Sequence, residues 1–290
     1  MTCSDAWVDA ALPALGTAPD ARFWVALEQP GPWGAKAFTQ SHLDPELGAL
    51  LERTAQLAGG RMLLVRSPLH HPDQPGPRRV LVAGGPVEAP WLGRCTIEDA
   101  AELPGLLEGW ADLSVATAPP PPLEPAEPVL LVCTNGKRDR CCATKGAPLA
   151  RSLAARFGDR VWEATHLGGH RFATTALALP ARQMTARVDE ELAVRALRGQ
   201  LLALDGQHDR GRTCLPAMAR IADAWLRAAT GETDPGAVVY EVDGQTVRAS
   251  HRDGRTWTLA VEKRSSDEIQ VPESCGKAPV PATWWNVTQL

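Results

Sequence analysis

Apolar and polar positions run along the chain in short blocks, and the blocks change period in a repeated order. Phe23-Trp24-Val25-Ala26-Leu27 is an apolar run closed by a Gly/Pro/Trp segment from Gln29 to Gly34, which predicts a strand and a loop. Leu47, Leu50, Leu51 and Leu57 recur at helical spacing between Asp44 and Ala58. Arg61–Val65 and Arg79–Ala83 read as two more strands, separated by a loop that holds His70-His71-Pro72. Pro90–Thr96 reads as a fourth strand and Ile97–Gly109 as a second helix. Residues 1–20 carry no clear pattern.

After Pro119-Pro120-Pro121-Pro122, Pro125 and Pro128, which predict a stiff extended linker, the order recurs. Val129–Val132 is a strand, Ala147–Phe157 a helix with Pro148 in its first turn, and Val161–Thr165 a strand. Phe172–Leu179 and Gln183–Val188 read as further strands, and Asp189–Leu204 as a closing helix. Strand–helix–strand–strand–helix, twice, predicts a duplicated α/β unit. The last third differs. Leu215, Met218, Ala222, Trp225 and Ala229 form a helical stripe that Gly231 is placed to end. Val238–Val242, Thr246–Ser250 and Thr256–Val261 are short strands joined at Asp243-Gly244 and Asp253-Gly254, the signature of an antiparallel meander. The expected units are 1–118, a linker at 119–128, 129–205, and an extension over 206–290.

Composition narrows the function classes. The 290 residues are 44% hydrophobic and 22% charged, enough for a sizeable core. A net charge of −4 argues against a nucleic-acid partner or a polybasic membrane surface. No apolar run is long enough to span a bilayer, and the first residues lack a signal-peptide pattern, so a cytoplasmic protein is expected. Seven cysteines, an odd number without a disulfide framework, fit a reducing compartment with metal-bound or free thiols.

The chemistry concentrates between Val129 and Pro180. Cys133 ends a strand, where sites are built in α/β sheets. A basic loop with Lys137, Arg138 and Arg140 leads to Cys141-Cys142 just before a helix, a setting that favours thiolates. His166 and His170 flank Gly168-Gly169, and paired glycines predict a loop in place of a helix. Two thiolates and two imidazoles suit tetrahedral zinc. They also suit a [2Fe–2S] cluster with mixed ligands. Cys3, Cys95, Cys214 and Cys275 are scattered and read as ordinary thiols.

The segment C-T-N-G-K-R-D-R-C-C-A-T-K-G, followed by H-L-G-G-H, resembles the sucrase/ferredoxin-like family. The resemblance is specific from Val129 to about Arg187. It implies a thioredoxin-like ferredoxin fold, two βαββα units with the first one degenerate. It also implies a [2Fe–2S] cluster held by Cys133, Cys142, His166 and His170, of the bis-histidinyl type. Cys142, and not Cys141, is chosen because it follows Asp139 by three residues and precedes Gly146 by four, as in the family motif. Two thiolates and two neutral imidazoles around a +2 core give a neutral site, which should be easier to reduce than a four-thiolate one. The second nitrogen of each imidazole can carry a proton. The expected function is one-electron transfer to or from a redox partner protein, more than an enzyme with its own substrate. The rivals are a zinc-stabilised binding module and a thiol oxidoreductase, the latter without a C-x-x-C pair in support. No pair of carboxylates placed for glycoside hydrolysis is legible.

Overall fold

In the computed structural model, which describes residues 2–69 and 76–290, the chain builds one large mixed sheet, a small second sheet and flanking helices. The chain opens with α1 (Cys3–Asp9), where Thr2 and Asp5 form a capping box that a scan for long apolar stripes passes over. β1 (Trp24–Glu28) follows, then α2 (Pro45–Leu57), whose N-cap Asp44 accepts from the Glu46 and Leu47 amides at 3.0 and 2.8 Å. β2 (Arg61–Arg66), β3 (Arg78–Gly84) and β4 (Trp91–Ile97) complete the first unit. The helix expected over 97–109 is instead broken into short turns, with α3 (Leu103–Leu106) among them, because Pro104 and Gly105 sit in its middle. His70, His71 and Pro72 lie outside the described residues.

The proline-rich stretch contributes a two-residue strand, β5 (Glu124–Pro125), at the edge beside β4. Then come β6 (Val129–Cys133), α4 (Ala147–Phe157), β7 (Val161–Ala164), β8 (Ala176–Leu179), β9 (Gln183–Thr185) and α5 (Glu190–Ala196). The last three are shorter than their apolar runs suggested. Phe172 turns out to lie in a tight helical turn before β8. The polar stretch Asp209-Arg210-Gly211-Arg212 forms a buried strand, β10 (Asp209–Arg212), against β9. α6 (Ala217–Thr230) ends at Gly231, which is left-handed at φ +74°.

The ten strands lie in the order β10-β9-β8-β6-β7-β2-β1-β3-β4-β5, and most neighbours are antiparallel. The two units share one pairing scheme. β1 is parallel to β2 and antiparallel to β3, just as β6 is parallel to β7 and antiparallel to β8. β2 and β7 join the units, with Val65 opposite Ala164. Alternation along each strand sorts its side chains. Val25 and Leu27 pack on Leu51 and Ala55 of α2, and Leu130 and Val132 on Leu153 and Ala154 of α4. Trp24, Ala26, Leu131 and Cys133 therefore face the other side, where one continuous core runs across both units. The meander is a separate four-stranded sheet of β11 (Val238–Asp243), β12 (Thr246–His251), β13 (Thr256–Pro272) and β14 (Pro279–Gln289). It packs on α6 through Val247, Leu259 and Val261 with Trp285 beside them, while Trp284 packs in a separate cluster with Trp7 and Phe172. Among the described residues no helix is long and apolar enough to cross a membrane.

Candidate metal centre

Cys133 is the last residue of β6, and alternation turns its side chain away from α4 into the shared core. The loop after it is fixed to the first unit. Asn135 Nδ2 donates to the Gly34 carbonyl at 3.1 Å. Thr134 Oγ1 donates at 3.2 Å to the buried Glu163 carboxylate, which also pairs with Arg66 at 2.7 Å. One wide π-helical turn, Cys142–Gly146, then leads into α4. Gly146 seats this turn against β6: a Cβ there would stand 2.2 Å from the Cys133 carbonyl oxygen. The family motif's glycine thus has a physical reason, since it lets the Cys142 turn lie directly on the Cys133 strand end.

Cys133 Sγ and Cys142 Sγ each lie 3.9 Å from His166 Nδ1, and the three donor atoms fall within 4.8 Å of one another. His170 stands one step further out. Its Nδ1 is 3.5 Å from His166 Nε2, with ring centroids 5.2 Å apart, and its Nε2 is 3.6 Å from Asp139 Oδ2. That Nε2 is buried without a hydrogen-bond partner. Gly168 and Gly169 are both left-handed, at φ +75° and +67°, so the histidine segment is a loop as the paired glycines predicted. Arg210 of β10 packs under it, donating to the Gly168 carbonyl at 3.0 Å and to Thr17.

The electrostatics favour one thiolate. The Cys142 thiol donating to it, and then the His166 ring, hold Cys133 well below the ordinary thiol range in spite of burial. The same contact pushes Cys142 up, so the pair shares a proton. Burial pulls Arg210 down to about 9, which leaves it cationic at neutral pH beside both sulfurs. Burial also lowers His170, so its imidazole is neutral at pH 7. Asp139 is buried too, but the amides of Cys275 and Cys141 and the Ser274 hydroxyl keep it ionised, below the usual carboxylate range. Lys137, Arg138 and Arg140 are exposed, while Lys145 is engaged by Asp5 at 2.7 Å.

The adjacent cysteines part company here. Consecutive residues on a helix point about 100° apart, from 3.6 residues per turn. Cys142 faces Cys133 and His166, whereas Cys141 faces Cys3 and Cys275. Three residues that sequence reasoning passed over surround the site: Asp139, Arg210 and Glu163. Asp139 sat in the quoted motif, but Arg210 lay in a polar stretch that looks like a loop.

A sucrase/ferredoxin-like family profile matches residues 14–202, well over half of the chain. The chain belongs to the sucrase/ferredoxin-like family. No curated protein and no solved structure matches it. In this sucrase/ferredoxin-like chain the matched region takes in both βαββ units and every residue of the Cys133–His170 group. A cleft of about 920 Å³ opens beside His166, with Lys36, Arg61, Arg138, Arg171 and Arg210 on its walls.

Proposed function

We propose that this protein is a one-electron carrier that holds a [2Fe–2S] cluster through Cys133, Cys142, His166 and His170. The observation that carries the reading is the shape of the donor set. A mononuclear tetrahedral ion with bonds of about 2.0–2.3 Å needs four donors within roughly 4 Å of one another. Here three donors lie within 4.8 Å and the fourth, His170, stands beyond them against His166. A two-iron core, with ligands divided between two metals, suits that spread better than a single zinc ion. The donor chemistry also fits, since two cysteines and two histidines are a known mixed set for such clusters. The strand order β9-β8-β6-β7 with its βαββα connection supports reading the second unit as a thioredoxin-like ferredoxin unit, and the first as its degenerate copy.

When bound, the cluster supplies a one-electron couple. The protein's own residues set its surroundings. Cys133 and Cys142 provide two anionic sulfurs and the imidazoles no charge, so the site's net charge is near zero and a high potential follows. Arg210 adds a buried cation that favours the reduced state. Asp139 Oδ2, ionised and 3.6 Å from His170 Nε2, is placed to hold a proton on that nitrogen. The cationic cleft and the exposed Lys137, Arg138 and Arg140 fit a redox partner with an acidic face. All seven cysteines are unpaired, which fits a cytoplasmic setting.

The test is the visible spectrum of protein purified without air, with iron, sulfide and zinc assayed on the same sample. The expected protein is red-brown, with two irons and two sulfides per chain, and loses its colour in Cys133→Ala and in His170→Ala. A colourless wild-type chain with zinc in this group would make it a structural module. A potential that stays flat from about pH 6 to 9 would remove the role of the His170 proton.

A further inference from the structure

Three cysteines from the two ends and the middle of the chain meet a few ångströms from the group described above. Cys141 Sγ is 3.5 Å from Cys3 Sγ and 3.2 Å from Cys275 Sγ, and Cys3 Sγ and Cys275 Sγ are 3.5 Å apart. Asp139 Oδ2 lies 3.9 Å from Cys3 Sγ. All four donor atoms fall within 4.8 Å of one another, and none belongs to the Cys133–His170 set.

We propose that Cys3, Asp139, Cys141 and Cys275 form a second metal centre, a structural zinc site. The triangle of sulfurs has the right size. With sides of about 3.4 Å its corners lie about 2.0 Å from its centre, so an ion with zinc–sulfur bonds of about 2.3 Å stands about 1.2 Å out of the sulfur plane. A carboxylate is the fourth ligand needed to close a tetrahedron, and a closed four-coordinate set marks a structural ion. A disulfide accounts for the cluster less well. It needs one sulfur pair at about 2.05 Å and leaves the third cysteine idle, whereas the three separations here are nearly equal.

Charge points the same way. Asp139 is buried, and among the described residues no lysine or arginine pairs with it; His170, 3.6 Å away, is its one basic neighbour there. A buried carboxylate without a cation is costly. A divalent ion at the centre of the four donors supplies the missing charge. The site would tie α1, the loop before α4 and the turn between β13 and β14, segments 134 to 272 residues apart. It would also set the adjoining centre, because Cys141 precedes Cys142 and Asp139 faces His170. The inference does not depend on which group Cys133, Cys142, His166 and His170 hold.

The experiment is zinc analysis and zinc K-edge absorption fine structure on the full chain purified without air. The expected result is about one zinc per chain, with three sulfurs near 2.3 Å and one oxygen near 2.0–2.2 Å in its first shell. Cys3→Ser and Cys275→Ser should each lose that zinc at least tenfold, while Cys133→Ala loses any iron and keeps the zinc. Two zincs per chain, one lost in Cys3→Ser and the other in Cys133→Ala, would sink the cluster reading and uphold this one. The inference is overturned by a zinc-free wild-type protein, by zinc retained in both serine variants, by a first shell with two imidazole nitrogens, or by a Cys141–Cys275 disulfide in peptide maps. The wild-type spectrum decides the matter even where a serine variant fails to fold.

Discussion

Replacing Gly146 by alanine tests whether the Cys142 turn must lie on the end of β6. The new Cβ would stand 2.2 Å from the Cys133 carbonyl oxygen and 3.3 Å from its carbon. An ordinary carbon–oxygen contact needs about 3.3 Å, so turn and strand must part by roughly 1 Å. Both neighbours are backbone, which cannot rotate aside. Overpacking of this kind costs about 1–3 kcal/mol. Alanine returns about 1 kcal/mol of helix propensity, because Gly146 has ordinary helical angles. The net expectation is a loss of up to about 2 kcal/mol, or a Tm lower by up to about 8 °C. Metal binding should suffer more than stability, because donor positions tolerate shifts of only about 0.2–0.5 Å. Gly105→Ala, in α3 with no atom within 4 Å of the new Cβ, is the control and should not lower the Tm. Thermal unfolding together with bound metal per chain provides the assay. A Gly146→Ala protein as stable and as metal-loaded as wild type would refute the close seating of α4 on β6.

Three further outcomes follow from the buried polar groups. Burial, then the neighbouring Asp223 carboxylate, raises Asp209 from 3.8 to about 7, so between those values the folded chain holds a proton that the unfolded chain has released. Stability should therefore fall as pH rises through that window, by up to about 1.4 kcal/mol per unit, and level off above it. Urea titrations at pH 5 and 7.5 should show the loss in wild type and not in Asp209→Asn; equal slopes would disprove it. Arg210→Met removes a buried cation beside the two sulfurs, so the reduction potential of the reconstituted protein should drop, and voltammetry showing no change or a rise would contradict the role given to Arg210. Tyr240→Phe removes a 2.8 Å hydrogen bond to Asp223, which keeps Arg212 and Arg227, so denaturant unfolding should show a loss of about 1–2 kcal/mol, and a neutral variant would count against the bond.

Much of the architecture was legible because it rests on local period. The two strand–helix–strand–strand blocks, the α6 stripe with Gly231 and the Asp-Gly turns of the meander all record which face of a short element meets the core. Cys133, Cys142 and His166, which the fold brings together, and His170, which stands against His166, also drew notice in sequence, since they crowd into one segment with a recognisable spacing. Element lengths were less so. α5 stops at Ala196, although apolar residues continue to Leu204, because Leu202 and Leu204 pack from an irregular segment onto the same core.

Other features belong to the tertiary structure alone. Asp209–Arg212 looks like a loop, yet it is a buried strand, because Asp223, Gln183 and the carbonyls of Thr17, Gly168 and Pro235 satisfy its charges from elsewhere in the chain. The joining of β2 to β7 leaves no trace in either strand's pattern. The choice between Cys141 and Cys142 as neighbours of Cys133 came from a motif in sequence and from rotation about a helix axis in space. The gathering of Cys3, Cys141 and Cys275 had no signal at all. Periodicity reports a residue's relation to its own element, and contacts across more than a hundred residues are set only when the elements pack.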